Sequence, residues 1–453
     1  MTTVIQSDVA IAKELDYKPL QSTYPSYVLH KVTQQSGGSE VKCTATGGLT
    51  SVFEMSANIV ANQSKDILYF NMEIPACAVG KCNVLPVDTW PMIQQIQHYT
   101  KESVKMMDLD HVGDYLRVVL KKEMTPAEFK SRDVSNFFYR SDCLASANVR
   151  HDGTSASVSY DEPRYLEFSP METGAGESKV TRLCQLKLSD LKFTIFDVDK
   201  DIGYPAITLL RIVWQSGTRC YWSCDAPGSP QLNPVAGTTF TISDLVLYSS
   251  QEADVGVANA VKAKIQSGIN IIVPYVNTYK TNLSGTNQFI TQRLNSIHGR
   301  KLKKILHSVF NNIETGNTSY DNSNVGAAGI GSKVTSLYSL LENKRMSEFD
   351  LRCSKATSED YMFHKNQLAN SIIQNQNMYQ YNWFWCNEFG DETSSTESKN
   401  LADKNVISGL DLGMSEVRWD LNFNIPGGVQ LNHYTFAICT KVLSITPSSI
   451  MVS

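Results

Sequence analysis

Along residues 67–74 the chain alternates: Leu68, Phe70, Met72 and Ile74 interleave with Ile67, Tyr69, Asn71 and Glu73. Successive side chains of an extended chain point to opposite faces. A period of two therefore sets one strongly apolar face against a core, as a half-buried strand requires. The same habit returns in LCQLKLSDLKFTIF, ITLLRIVWQ, TRCYWSC, TTFTISDLVLYSS and INIIVPYVNTY, each bounded by Gly, Pro or Asp turns. It returns again in SEVRWDLNFNIP and in NHYTFAICTKVLSIT, where Tyr434, Phe436 and Ile438 share a face. Short strands at this spacing argue for a sandwich or barrel.

A chain of 453 residues exceeds the roughly 250–300 at which single cores stop growing, so two domains are expected. Residues 1–44 lack sustained periodicity and read as an N-terminal arm, lying across a neighbour or across the base of its own domain. Residues 45–251 read as the first β domain, carrying a helical insertion over about 88–140. There Pro91 follows Asp88 and Thr89 as in a first helical turn, with Ile93 and Ile96 on one face. Val112, Leu116, Val119 and Leu120 recur at helical spacing. Thr125, Pro126 and Glu128 give a further start signal. Residues 252–268 form a weakly helical, Ala-rich linker that Gly268 is placed to end. The second β domain occupies 269–453. Within it GRKLKKILHSVFN fits helix or strand, and 315–332 is a Gly/Asn/Ser-rich loop.

Only 19% of residues are charged and the net charge is −4. Ser, Thr, Asn and Gln take the place of charge, and 20 Tyr, 17 Phe and 6 Trp favour strand cores. Residues 1–24 carry Lys13 and Lys18 against Asp8, Glu14 and Asp16, so no basic arm exists to neutralise nucleic acid. The start has no signal-peptide pattern, and no apolar run is long enough to span a membrane. The ten cysteines read as reduced thiols, several of them buried.

Asp197, Asp199 and Asp201 before Gly203 approach a calcium loop, but Thr208 stands where a bidentate Glu is needed, leaving a solvated acidic turn. Cys77, Cys82, Cys220 and Cys224 lack the paired knuckle spacing of a zinc site. The eight His show no metal spacing, and no nucleophile elbow is present. Gly326, Gly329 and Gly331 do not follow the dinucleotide order. Asp108/Asp110 and Asp391/Glu392 have no reason to be buried. Arg300, Lys301, Lys303, Lys304 and His307 read as a solvated edge or a contact to an acidic neighbour. Tyr379, Tyr381, Trp383 and Trp385 fall on one face of a strand, as in a core seam or subunit interface more than a sugar platform. No residue is singled out as catalytic, cofactor-binding or metal-ligating.

Taken in order, several segments carry a resemblance: QS-x-D-x-LYFNMEIPA near the start, the insertion around Trp90–Phe129, LKLSDLKFTIFDVDKDIGYP, GRKLKKILHSVFN, LYSLLENKRMSEFDLRC, YNWFWCNEF and NHYTFAICTKVLSI. Over about 45–453 this order resembles the double jelly-roll major capsid proteins of adenovirus, giant viruses, virophages and polinton-like viruses. It is most similar to the virophage and polinton-like proteins. The resemblance implies an all-β chain of two tandem jelly-roll sandwiches with minor helical insertions. It further implies a homotrimer forming a pseudo-hexameric capsomer in an icosahedral DNA-virus shell, assembled inside the host cell. Neighbouring capsomers, penton proteins and minor or cement proteins would be its partners, with no sequence-specific nucleic-acid binding and no cofactor. The helical insertion near 88–140 and the loops at 153–180, 315–333 and 390–405 would be tower or inter-capsomer features. Two other readings stay open: a spike or glycan-binding virion protein, and a β-sandwich glycosidase with two carboxylates from distant strands.

Overall fold

The computed structural model describes residues 27–35, 40–44, 49–75, 81–84, 92–123, 125, 180–217, 220, 222–225, 235–236, 239–284, 288–297, 300–311, 334–341, 344–345, 351–352, 359–364, 371, 383–389, 410–411, 417–423 and 430–453. Their strands form five sheets, and every pairing is antiparallel. Three sheets are built from residues before Asp254 and two from residues after Gly268, with no strand pairing across that divide.

In the first half, the seven-stranded sheet is organised around Phe240–Glu252, which pairs with Ile67–Ile74 on one side and with Tyr27–Thr33 and Glu40–Cys43 on the other. The four-stranded sheet runs Thr50–Met55, Thr208–Trp214, Ile93–Thr100, Lys105–Asp110. The two sheets face each other across a core in which Phe70 meets Trp214 edge-on, with centroids 5.2 Å apart. The Trp214 indole N–H donates to Ser51 Oγ at 2.8 Å, so the ring is buried without stranding its donor. The alternation over 67–74 does what its period demands: Leu68, Phe70 and Met72 are wholly buried, while Ile67, Tyr69, Asn71 and Glu73 are half-buried.

In the second half, a six-stranded sheet has the order Ile269–Ser284, Gln430–Ile445, Lys301–Asn311, Phe384–Glu388. A five-stranded sheet is built on Gln288–Arg293, Val417–Phe423 and Val334–Leu341. Of the ambiguous GRKLKKILHSVFN, Lys301–Asn311 is a strand, bulged at Lys303. Pro274 sits inside Ile269–Ser284, the outermost strand of its sheet, where a residue without an N–H is tolerated.

Three expectations need correction. Residues 93–100, read as helical from Pro91 and the Ile93/Ile96 spacing, are a strand, because Ile93 and Ile96 pair across to Trp214 and Ile212. Tertiary pairing overrides a two-residue helical signal. Of that insertion, Val112–Glu123 is the helix that forms; residues 126–140 lie outside the described residues. Residues 27–33 and 40–43, read as arm, are strands. Tyr27–Thr33 lies at a sheet edge with most side chains exposed, so nothing obliged its sequence to alternate. Third, the strand character read in LCQLKLSDLKFTIF ends at Lys187, and the chain then folds through short 3-10 turns at Leu188–Asp190 and Ile195–Asp197.

The helix Val255–Gln266 joins the two sets of sheets in sequence and packs on strands of the first. Asp254 caps it, accepting from the Gly256 and Val257 N–H groups at 2.8 and 3.2 Å, and Gly268 ends it at φ 75°. Its buried face, Val261 and Ile265, rests on Gly203: a Cβ there would stand 3.1 Å from Val261 Cγ1 and closer still to Ile265 Cδ1. Gly203→Val is therefore expected to lift the helix and cost about 1–3 kcal/mol. Thermal unfolding beside Gly203→Ala, which a shift of the flexible Ile265 tip accommodates better, reads this directly. Equal midpoints for both variants and the parent would contradict it.

Candidate functional site at the junction of the two halves

The helix Val112–Glu123 belongs to the first half by sequence and touches the second. It starts after His111, whose φ of 54° turns the chain out of Lys105–Asp110. Val112, Tyr115, Leu116, Val119 and Leu120 are buried, as their spacing requires. Tyr115 joins both sides. Its hydroxyl donates to the Lys192 carbonyl at 2.8 Å in the first half, and its ring meets Phe436 of the second at 5.1 Å. His111 meets the Tyr434 ring at 4.9 Å, and Thr278 Oγ1 donates to the Asp110 carbonyl at 3.3 Å.

The register explains which side chains reach this surface. Thr278, Phe436, Leu306 and Cys386 form one cross-strand row, and Ile438, Lys304 and Glu388 form a neighbouring one. Tyr434, Phe436 and Ile438 do share a face, as their alternation predicts. The opposite face, with His433, Thr435 and Ala437, is equally buried. Gln430–Ile445 is therefore covered on both sides, by its own half and by the junction.

Beside these rings lies a knot of four charges. Glu388 Oε1 takes Lys122 Nζ at 2.6 Å and Lys304 Nζ at 2.9 Å; Glu123 Oε1 stands 3.3 and 3.4 Å from the same two ammoniums. Cys386 donates its thiol to Glu388 Oε1 at 3.5 Å, and Lys304 Nζ lies 5.1 Å from the centre of the Phe193 ring. The side chains of Lys122, Lys304 and Glu388 are only 5%, 9% and 7% exposed. Burial alone would raise the Glu388 carboxyl, but Lys122 and Lys304 outweigh it and hold it down to about 2. Burial would likewise pull Lys122 down, yet Cys386, Glu123 and Glu388 hold it well above the ordinary lysine range. Two cations and two anions balance, so the knot is charged and neutral overall.

Residues singled out from sequence fall elsewhere or serve the fold. The acidic turn is not solvated throughout. Asp197 is buried on Lys192 Nζ at 2.8 Å and the Phe193 N–H at 3.1 Å, and Asp201 is buried too. Asp199 accepts from Asn62 Nδ2 at 2.8 Å and Ser64 Oγ at 3.2 Å. The turn is folded back on its neighbours, so its carboxylates diverge. Among the described residues no group of three His, Cys, Asp or Glu is placed to hold a metal. Asp108 is a structural acceptor for Gln95, Gln97 and Lys105. The basic cluster is split: Lys304 meets its acidic neighbours in the knot, His307 is in the core, and the solvated edge does not exist at Lys303 or Lys304. Trp383 and Trp385 are buried with Phe384 and Cys386, a core seam that offers no platform to a sugar. Cys43, Cys184, Cys220, Cys386 and Cys439 are buried, while Cys82 pairs with Cys224 in the strand register. Tyr379, Tyr381, Asp391, Glu392, Cys77 and the 326–331 glycines lie outside the described residues, as do the loops at 153–179, 315–333 and 390–405.

Lys122, Glu123 and Glu388 were not legible as a site. The run KKE at a helix end is ordinarily solvated, and only the partner strands, some 180 to 266 residues away, bury it.

No protein-family model matches the chain, and no curated protein matches it in sequence. Solved structures do. A chain of the Sputnik virophage structure aligns over 100% of this chain and 93% of its own, at TM-score 0.54 and 10% identity. The mavirus major capsid protein aligns over 100% and 96%, at 0.50 and 11%. A chain of the PBCV-1 virus capsid aligns over 97% and 99%, at 0.50 and 11%. The fold is the double jelly roll of viral major capsid proteins. At such identities only the architecture is shared. In a double jelly roll the junction described above is the seam between the two rolls, and the knot sits within it. No described helix is long and apolar enough to cross a membrane.

Proposed function

We propose that this chain is a major capsid protein, a structural tile that acts by self-association and not by catalysis. The observation that carries the reading is the end-to-end correspondence with capsid chains: nearly all of this chain aligns with nearly all of theirs, leaving little for a separate activity. The second roll is assigned to 269–453 and the first to 45–251 together with the strands Tyr27–Thr33 and Glu40–Cys43 of its sheet, the two being joined by 252–268, which carries the helix Val255–Gln266. Three chains then present six rolls in a pseudo-hexagonal outline and tile an icosahedral shell of a DNA virus. Penton and minor capsid proteins complete the shell, and the protein resides in the virion. The mild net charge of −4 suits a shell whose genome is neutralised by other proteins.

Light scattering on a sizing column, with negative-stain images of the peak, tests this. Three chains per particle with a six-sided outline is the expected result. A monodisperse monomer at high concentration would overturn it.

A further inference from the structure

We infer that the knot of Lys122, Glu123, Lys304 and Glu388 is an orientation lock: it selects one seating of the helix Val112–Glu123 on the second roll and so fixes the angle between the rolls within each chain. The inference concerns a single chain and holds whether or not three chains associate.

The knot draws equally on both halves. Each half brings one cation and one anion: Lys122 and Glu123 are consecutive on the helix, and Lys304 and Glu388 are direct partners across two strands. Either half could neutralise its own pair alone. In the docked chain the shortest contact is instead the one that crosses the seam, Lys122 to Glu388 at 2.6 Å.

The rest of the seam is largely aromatic and apolar: Tyr115 on the helix, with Tyr434 and Phe436 on the sheet. Apolar burial is non-directional. With apolar residues recurring on the helix at three- and four-residue steps, a slide of one turn, about 5.4 Å, exchanges one such contact for another. The knot does not permit that slide. It would carry Lys122 out of reach and leave Glu388 in a site closed to water with half its countercharge. A buried charge set is weak as a stabiliser compared with well-packed apolar residues, while removing one member leaves a charge unmet. Such a set therefore discriminates between seatings more than it strengthens any one of them.

The test reads the distance between the halves. Spin labels go at Glu102 and Ser448, both exposed and one on each half, through a ketone-bearing non-natural side chain that leaves the native thiols untouched. The parent should give a narrow distance distribution by double electron–electron resonance. Replacing all four members (Lys122→Met, Glu123→Leu, Lys304→Met, Glu388→Leu) should leave the thermal midpoint equal or higher. The distribution should broaden or gain a second peak displaced by about 5 Å. Reversing all four (Lys122→Glu, Glu123→Lys, Lys304→Glu, Glu388→Lys) keeps the pairing pattern and should return the narrow distribution. An apolar variant as narrow as the parent overturns the inference, as does a reversed variant no narrower than the apolar one. An apolar variant that fails to fold also overturns it, since the knot would then supply stability and not orientation.

Discussion

Glu388→Leu alone should destabilise the chain by about 3–5 kcal/mol, the range for leaving buried charge uncompensated. Glu388 is the anion that both lysines approach most closely, at 2.6 and 2.9 Å. Without it, Glu123 is left to serve two ammoniums from 3.3 and 3.4 Å, and one positive charge is stranded. Burial then dominates at Lys122, where it is already the largest influence and is now opposed by less negative charge. Its folded pKa should fall below the unfolded value. A depressed lysine favours the folded state once pH exceeds that folded pKa, so the variant should recover stability as pH rises from 7 toward 10. Urea denaturation at several pH values reads both effects. The control is Lys105→Ala, which breaks a 2.6 Å pair whose lysine is 55% exposed; pairs of that kind contribute about 0–1 kcal/mol. A loss for Glu388→Leu no larger than the control's would mean that water reaches the seam.

Acidification below pH 6.5 should unfold the protein earlier than its carboxylates alone would. His98, His307 and His433 are wholly buried. His307 and His433 stack at 5.3 Å with Nδ1 and Nε2 3.2 Å apart, and Thr435 Oγ1 lies 3.0 Å from His307 Nδ1. His98 stacks on Phe196 and reaches Gln63 Nε2 at 3.4 Å. Burial holds His98 and His433 down to about 3, and burial with the His433 charge holds His307 well below the ordinary value.

The unfolded chain binds these protons near pH 6.5 and the folded chain does not. The stability they allow is therefore complete above 6.5 and is lost as pH falls from there toward 3. Each histidine contributes a slope of up to about 1.4 kcal/mol per pH unit. Three of them would remove up to about 10 kcal/mol by pH 4, the middle of the ordinary range of about 5–15 kcal/mol. Asp66 and Asp197, raised by burial, work the other way by taking up protons in the folded state. Glu388 and Glu123, held low by the lysines against burial, add losses only below about 4.5. A urea midpoint that stays level from pH 7.5 to 5 would show that the imidazoles are reached by water. His307→Gln combined with His433→Gln should flatten the dependence by about two-thirds if the three act alike.

What the sequence disclosed was whatever repeats along a strand or helix. Leu68, Phe70 and Met72 announced their face, and Val112, Leu116, Val119 and Leu120 announced theirs. The span 93–100 misled because two isoleucines three apart satisfy a helix while their partners in Thr208–Trp214 are invisible locally. Tyr27–Thr33 was missed for the opposite reason, since an edge strand exposed on most of its length carries no period. At the junction, Tyr434 and Phe436 were legible as a face, but the burial of the face behind them was not. Lys122 and Glu388 were illegible altogether, because a charged residue shows its burial only through a partner 266 residues away.

That separation has a consequence in time. Asn277 donates to Cys439 across 162 residues, on the strand pair that joins the edge of the six-stranded sheet to its centre. A ribosome adding about 5–20 residues per second needs roughly 10–30 s to bridge such a gap. Throughout that interval the long strand Ile269–Ser284 has been made and its neighbour Gln430–Ile445 has not. A nascent chain thus carries an open strand edge and an uncovered helix face while other copies are being translated nearby. Crowded polysomes would favour premature contact between unfinished chains, and slower translation would lengthen that exposure in proportion.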